Sequence, residues 1–409
     1  DGRGREHAAR CSRRIGDARG PGHYRLRYKT IESPPPTSVM TTSRTCPCPC
    51  TRVSTTRCIR TTRRKTPDSM EFDNAQDSAI DPMQLNRALN LTSHQSLDLD
   101  LDYFKSRRIA IILCTFNGDD FLGPQLRSLY DQTESDFALY VSDDGSTDQT
   151  CECAIEATDV KSTRLLESAR QGFCRNFLDT LARTEPSHQY YAFCDQDDLW
   201  YANKLERAIA KLEKVPKHIP ALYCSRTEII DANGEHIGES PLFAHPPSFA
   251  NALVQNIGGG NTMVMNRAAR DLIVSTTMST DVVSHDWWAY IVVSGAGGTV
   301  FYDPTPCLRY RQHTHNLVGA NQSWKARGKR AIALLRGRFK RWNALNCQAL
   351  AQNEHVLTEE NRNVLALFNA ARTAVSWRKR LFYLRISGLY RQTPLGNCGL
   401  IIAAALGKL

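Results

Sequence analysis

The chain has 409 residues and a formal net charge of +10, a total that hides three unlike parts. Residues 1–69 carry 16 Lys and Arg against 5 Asp and Glu, residues 70–324 carry 20 against 34, and residues 325–409 carry 16 against 3. Nine cysteines follow residue 69, scattered and mostly in apolar runs, as at Cys114, Cys194 and Cys224; that excludes a disulfide framework and reads as cytosolic usage.

Residues 1–69 mix Arg, Thr, Pro and Cys without period, include Cys46-Pro47-Cys48-Pro49-Cys50 and begin with Asp. The expectation is a disordered leader, or a reading frame extended upstream of a start at Met70 or Met83. A nucleic-acid-binding tail is the functional alternative, set aside here, so no nucleic-acid partner is expected. No secretory h-region is present. A polar linker over 70–106 follows.

Residues 109–114 are a continuous apolar run, the signature of a strand buried on both faces of a parallel sheet. Leu122, Leu126 and Leu129 then recur at helical spacing, with Asn117 and Asp119 available as caps. Residues 137–141 predict another strand, broken by Ser142-Asp143-Asp144-Gly145-Ser146. A helix is expected to start near Thr147, where Asp148 suits the positive end of the dipole. Phe173, Phe177, Leu178 and Leu181 share one face of a helix over 172–183. The apolar run 190–194 leads straight into Asp195-Gln196-Asp197-Asp198.

This β-α-β-α-β alternation predicts an α/β fold with a doubly wound, mainly parallel sheet. Ligands bind such sheets at the carboxyl ends of the strands. Three carboxylates so close repel one another unless a cation sits among them. A divalent Mg²⁺ or Mn²⁺ shared with ligand phosphates accounts for them; a solvated acidic turn capping the next helix is the bland alternative. An anionic ligand on a body of net −14 agrees with the first.

Farther on, Gly258-Gly259-Gly260-Asn261 precedes a strand predicted over 262–265. Its glycines let backbone approach a ligand closely, or form a flexible loop. Asp286 starts an apolar helix over 287–293, anchored by Trp287 and Trp288. A last sheet strand is expected at 300–302, before Tyr310-Arg311-Gln312-His313-Thr314-His315. Cys151-Glu152-Cys153 is too close and isolated for a metal site. No G-x-S-x-G, H-E-x-x-H or C-x-x-C occurs, and no G-x-G-x-x-G follows a strand, which argues against a dehydrogenase.

In order, Cys114-Thr115-Phe116-Asn117-Gly118, Ser142-Asp143-Asp144-Gly145-Ser146-Thr147-Asp148 and Asp195-Gln196-Asp197-Asp198-Leu199-Trp200 resemble the opening half of a family 2 glycosyltransferase with the GT-A fold. Gly258-Gly259-Gly260-Asn261, His285-Asp286-Trp287-Trp288 and Tyr310-Arg311-Gln312-His313 are similar to its bacterial rhamnosyltransferase branch. The resemblance covers about 108 to 321, within a domain over 107–324 whose nucleotide-binding half is Rossmann-like.

The resemblance implies an inverting, metal-dependent enzyme. It would move a sugar from a dTDP donor, L-rhamnose, onto a cell-surface polysaccharide or lipid-linked glycan. A UDP-hexose donor and a non-catalytic sugar-nucleotide-binding module are the alternatives. Thr115, Phe116, Asn117, Asp144, Arg170 and Asp195 would hold the nucleotide: Phe116 on the base, Asp144 on its N–H, Asp195 on the ribose and Arg170 on the diphosphate. Asp197, with His313, would hold the metal, and Asp286 would take the acceptor proton. Gly259, Gly260, Asn261, His285 and Trp287 would lie on the sugar or acceptor side. Each has a plainer reading: Phe116 as core, Asp144 as a turn acid, Arg170 as a solvated arginine, Asp286 as a helix cap, and His285 and His313 as structural.

Residues 325–409 read as helices over 329–345, 361–374, 377–389 and 400–406. Arg336, Arg338, Lys340 and Arg341, and later Arg378, Lys379, Arg380 and Arg385, alternate with Leu, Phe, Trp and Tyr. Such basic amphipathic helices suit an anionic cytoplasmic leaflet, which implies a cytoplasmic enzyme held peripherally at the membrane. The tail 400–406 is far short of the roughly 20 residues of a spanning helix. A basic cap packed on the enzyme body is the other reading.

Overall fold

The computed structural model describes residues 102–158, 162–277, 280–313 and 337–409. The leader, nearly all of the linker, His315 and the start of the helix expected at 329 lie outside the described residues. β1 (Ile109–Thr115) is buried along its whole length, because its apolar side chains are taken up by layers on both faces. α1 (Asp119–Tyr130) buries Leu122, Leu126 and Leu129. Its start differs from the expectation, since the residue before it, Gly118, makes no side-chain cap. Asn117 Oδ1 is engaged elsewhere, accepting the N–H of Thr147 at 2.8 Å.

β2 (Phe137–Asp143) follows, then α2 (Thr150–Ala157). That helix begins three residues later than the sequence suggests, where Asp148 Oδ1 accepts the N–H of Thr150 at 3.1 Å. β3 (Thr163–Glu167) was not expected; it sits at the sheet edge and lacks the apolar run of a central strand. α3 (Phe173–Arg183) and β4 (Tyr190–Asp195) agree with the pattern. After β5 (Leu199–Trp200), α4 (Lys204–Leu212) leads to β6 (Ala221–Ser225), β7 (Glu228–Ile230) and β8 (His236–Glu239). The short α5 (Phe249–Ala252) precedes β9 (Val264–Asn266), α6 (Arg267–Thr277), α7 (His285–Gly295), β10 (Thr299–Asp303) and β11 (Leu308–Arg311).

The main sheet has seven strands in the order β10-β6-β9-β4-β1-β2-β3. Its pairings are parallel except at β9, which runs antiparallel to both β4 and β6. One reversed strand has a large effect: it enters the sheet at the rim where its neighbours end, so the glycine-rich segment before it lies at the carboxyl end of β4. A second sheet, β5-β11-β7-β8, corrects the expectation that residues 300–302 close the fold. β11 pairs antiparallel with β5 and parallel with β7, which carries His313 back beside Asp197.

The remaining helices are α8 (Arg338–Gln352), α9 (Glu359–Thr373), α10 (Trp377–Ile386) and α11 (Pro394–Ala405). Phe339, Leu350, Leu365, Phe368, Leu384 and Leu400 belong to the same hydrophobic core as Ile112, Phe193 and Trp288. Asn361 Nδ2 donates to the carbonyls of Ser294 and Gly295, at the end of α7. The basic helices therefore pack on the enzyme body and share its core.

Candidate active site

Register brings the functional strands level. Thr115 on β1 is paired with Asp143 on β2, and Cys114 with Asp195 on β4. Thr115 is buried, and its hydroxyl donates to Asp143 Oδ1 at 2.8 Å. Asp143 spends its other oxygen on the N–H groups of Gly145 and Ser146, at 3.0 and 2.7 Å, so it shapes the turn, while Asp144 is half-buried. Asp144 Oδ1 accepts from Ser168 Oγ at 2.6 Å, and that hydroxyl accepts the N–H of Arg170 at 3.0 Å. Arg170 is exposed, adopts φ 53° and lies along Gly145.

Phe116 projects from the rim with 55% of its surface exposed. Its backbone is clamped by Gln196, which accepts its N–H at 2.8 Å and donates to its carbonyl at 3.0 Å. An aromatic so placed offers a ring face at the rim. Asn117, at φ 46°, donates its N–H to Ser146 Oγ at 2.8 Å; with its bond to Thr147, it ties the two loops together.

The three acids at and just after the end of β4 do three different things. Burial, then the charges of Asp197 and Asp286, push the Asp195 carboxyl up to about 7, with Lys204 opposing. Asp197 Oδ2 lies 2.8 Å from His313 Nε2, and the His313 ring stacks on Phe121 with centroids 4.7 Å apart. Asp198 is fully buried; its oxygens accept from Asn261 Nδ2 at 2.5 Å and from the N–H of Arg311 at 3.3 Å. The Asn261 carbonyl accepts from Lys204 Nζ at 2.5 Å. Burial pulls that buried lysine down to about 8. Asp198 thus belongs to a lock beneath the rim and is not open to a ligand.

On the facing side, Asp286 opens α7. Its Oδ1 accepts the N–H of Trp287 at 2.7 Å, and its Oδ2 accepts from Asn256 Nδ2 at 2.9 Å. Trp287 is buried and donates Nε1–H to the carbonyl of Ala252 at 2.7 Å. His285 is buried as well, its ring stacked on Phe177 at 4.1 Å and edge-on to Phe193 at 4.8 Å. Among the described residues, neither ring nitrogen has a hydrogen-bond partner. A Cβ on Gly260 would come within 2.3 Å of His285 Nε2, so Gly260 is required for that contact. Gly259 is exposed at the rim beside it.

Asp195, Asp197 and Asp286 are therefore electrostatic neighbours. Asp144 and Phe116 stand along the same strand ends, whereas Thr115, Asn117, Asn261, His285 and Trp287 hold other parts of the site. Among the described residues, no group of three or more His, Cys, Asp or Glu is arranged to hold a metal. Asp197 with His313 offers one carboxylate oxygen and one imidazole nitrogen. That suits an ion that takes one or two protein ligands and completes its shell with phosphate and water. Sequence reasoning missed Asn256, Ser168 and Lys204, and passed over Gln196 inside a motif it quoted.

Residues 110–270 match the family model described as Glycosyl transferase family 2. The dTDP-rhamnosyl transferase RfbG of Shigella flexneri is 27% identical over 253 residues, spanning 56% of this chain and 81% of that protein. The UDP-Glc:alpha-D-GlcNAc-diphosphoundecaprenol beta-1,3-glucosyltransferase WfgD of Escherichia coli is 31% identical over 163 residues, 39% of this chain and 60% of that protein. A crystal structure of S. aureus TarS 1-349 covers 74% of this chain and 88% of its own, with 14% identity and a TM-score of 0.41.

Proposed function

This chain is a glycosyltransferase with a family 2 domain of the GT-A fold, and on that premise we propose that it transfers L-rhamnose from dTDP-rhamnose, with inversion, onto a cell-surface polysaccharide or lipid-linked glycan. The donor reading draws on the similarity to RfbG, named a dTDP-rhamnosyl transferase. The similarity to WfgD, named for UDP-Glc, supports a UDP-hexose as the second reading. What carries the proposal is the shared rim: an exposed aromatic, Asp144, Asp195 and Asp197 at strand ends, with the Asp286 charge acting on Asp195.

In this reading the pyrimidine lies on Phe116 and gives its ring N–H to Asp144, while Asp195 accepts from the ribose hydroxyls. Arg170 faces the diphosphate, where its guanidinium can hydrogen-bond the phosphate oxygens. Asp197 and His313 would hold Mg²⁺ or Mn²⁺, which stabilises charge on the departing diphosphate oxygens. Asp286 takes the proton of the acceptor hydroxyl as that oxygen bonds to the anomeric carbon and the bond to the diphosphate breaks. General-base help of this kind is worth on the order of 10²–10⁴ in rate.

The test is a donor panel scored as nucleotide diphosphate release, with Mg²⁺, with Mn²⁺ and with EDTA. Asp286→Asn is expected to bind donor as the wild type does, yet lose transfer by about 10²–10⁴. Asp197→Ala is expected to lose metal-dependent donor binding itself. Turnover retained in Asp286→Asn overturns the base assignment. Release from UDP-glucose alone moves the donor reading to the second alternative.

A cytoplasmic location with peripheral attachment to an anionic membrane belongs to the same proposal. Among the described residues no helix is long and apolar enough to cross a membrane. α10 and α11 expose Trp377, Phe382, Leu395, Ile401 and Ile402 beside Arg378, Lys379 and Arg385, the composition of an interfacial surface.

A further inference from the structure

Behind Asp286 stands a side chain that belongs to none of the motifs. Asn256 lies between α5 and the glycine-rich segment, and its Nδ2 donates to Asp286 Oδ2 at 2.9 Å. Its Oδ1 accepts the N–H of Ile257 at 2.9 Å. The second bond fixes the orientation of the amide: with the oxygen committed to an N–H donor, the amino group faces the carboxylate. α5 and α7 are pinned to each other by Trp287 Nε1–H to the Ala252 carbonyl at 2.7 Å. The Tyr290 hydroxyl adds bonds to Ser248 and Asn251, each at 3.0 Å. Asn256 therefore meets Asp286 at a set place.

The N–H of Trp287 and the amino end of α7 favour the Asp286 charge, whereas the ionisable side chains nearest to it do not. Asp195, at the end of β4, is a second acid that feels Asp286. Cys174, on α3, has its thiol pushed up to about 12 by burial and then by the Asp286 charge, with Arg175 and Asp281 acting on it more weakly. His285, next on α7, is held neutral by burial. Against these, the Asn256 amide is a neutral donor aimed at the ionised form. Each carboxylate oxygen of Asp286 keeps a lone pair for an incoming hydroxyl.

We infer that Asn256 is a positioning residue for sugar transfer, acting through Asp286 by holding that carboxylate in one orientation for the arriving acceptor. The inference rests on Asp286 being the base. Asn256→Ala, Asn256→Asp and Asn256→Ser are compared in the full chain by kcat, donor KM, nucleotide diphosphate affinity and the pH dependence of kcat/KM. A hydrogen bond to a charged group is worth enough that Asn256→Ala should lower kcat about 10- to 100-fold. Nucleotide diphosphate affinity should stay at the wild-type level.

Removing a donor to the ionised form raises the pKa of an acid. The low-pH limb, where the base must be ionised, should therefore move to higher pH in Asn256→Ala. It should move farther in Asn256→Asp, and Asn256→Ser should recover part of the rate. Wild-type kcat and pH profile in Asn256→Ala overturn the inference. So do equal losses in all three variants accompanied by loss of nucleotide affinity, which mark a merely structural residue. Turnover retained in Asp286→Asn strikes at the base assignment itself. An inactive Asp286→Asn beside an unaffected Asn256→Ala removes the positioning role alone.

Discussion

His285 shows how much one buried ring contributes to the behaviour of the site. Burial between Phe177 and Phe193 pulls its imidazole from 6.5 down to about 4, with the Asp286 charge opposing. Between those values the unfolded chain binds a proton that the folded chain refuses, so this contribution to stability is complete above 6.5 and lost as the pH falls toward 4. His285→Phe keeps the stacking and removes the titration. Its melting temperature should decline less between pH 7 and 5 than that of the wild type, and an identical decline would refute the assignment. At this scale the sequence marked Phe116, Asp144, Asp195, Asp197 and Asp286 where chemistry and motif coincide, and these residues stand at strand ends and at the start of α7; their roles belong to the proposal. The sequence was silent on Asn256 and Lys204. An asparagine in a polar loop and a lysine on an amphipathic helix look solvated until the fold supplies Asp286 and Asn261 as their partners.

Among the elements, continuous apolar runs announced β1, β2 and β4, because a strand covered on both faces must be apolar throughout. β3 and β11 were illegible for the converse reason: an edge strand and a four-residue strand carry too little periodicity to stand out. The entry into β9 holds the two halves of the rim together. There Asn261 gives its amide to buried Asp198 while its carbonyl takes the Lys204 ammonium. Asn261→Ala keeps the carbonyl but leaves Asp198 Oδ2 without its donor, a loss of about 1–3 kcal/mol. Urea unfolding should read that as a lowered midpoint at unchanged slope. An unshifted midpoint would show that the lock contributes nothing to stability.

At the scale of the molecule, the C-terminal helices are part of the core and also carry a surface of one sign. Residues 361–409 contain eight Lys and Arg and no Asp or Glu. α10 and α11 leave Phe382 59% and Leu395 71% exposed. Each basic residue near an anionic leaflet is worth about 1 kcal/mol, to which apolar insertion adds. Deleting 325–409 would strip Phe368, Leu384 and Leu400 from the core, so point changes are the sound test. Phe382→Glu with Ile402→Glu should abolish flotation with phosphatidylglycerol vesicles, leaving the melting temperature and nucleotide affinity as they were. Equal flotation of wild type and double variant would rule the attachment out.

The reversal of β9 has one more consequence. In a repeating α/β wrap, every loop at the binding edge follows a strand and is tied to the helix after it. The stretch from 256 to 261 escapes that bond, because it leads into a strand running the other way. Its two ends are held by Asn256 on Asp286 and by Asn261 on Asp198 and Lys204, so exchanges there shift the gap between an activated alcohol and its leaving group together with the lock beneath the rim. In this architecture, new acceptor preferences would accumulate first in that connection.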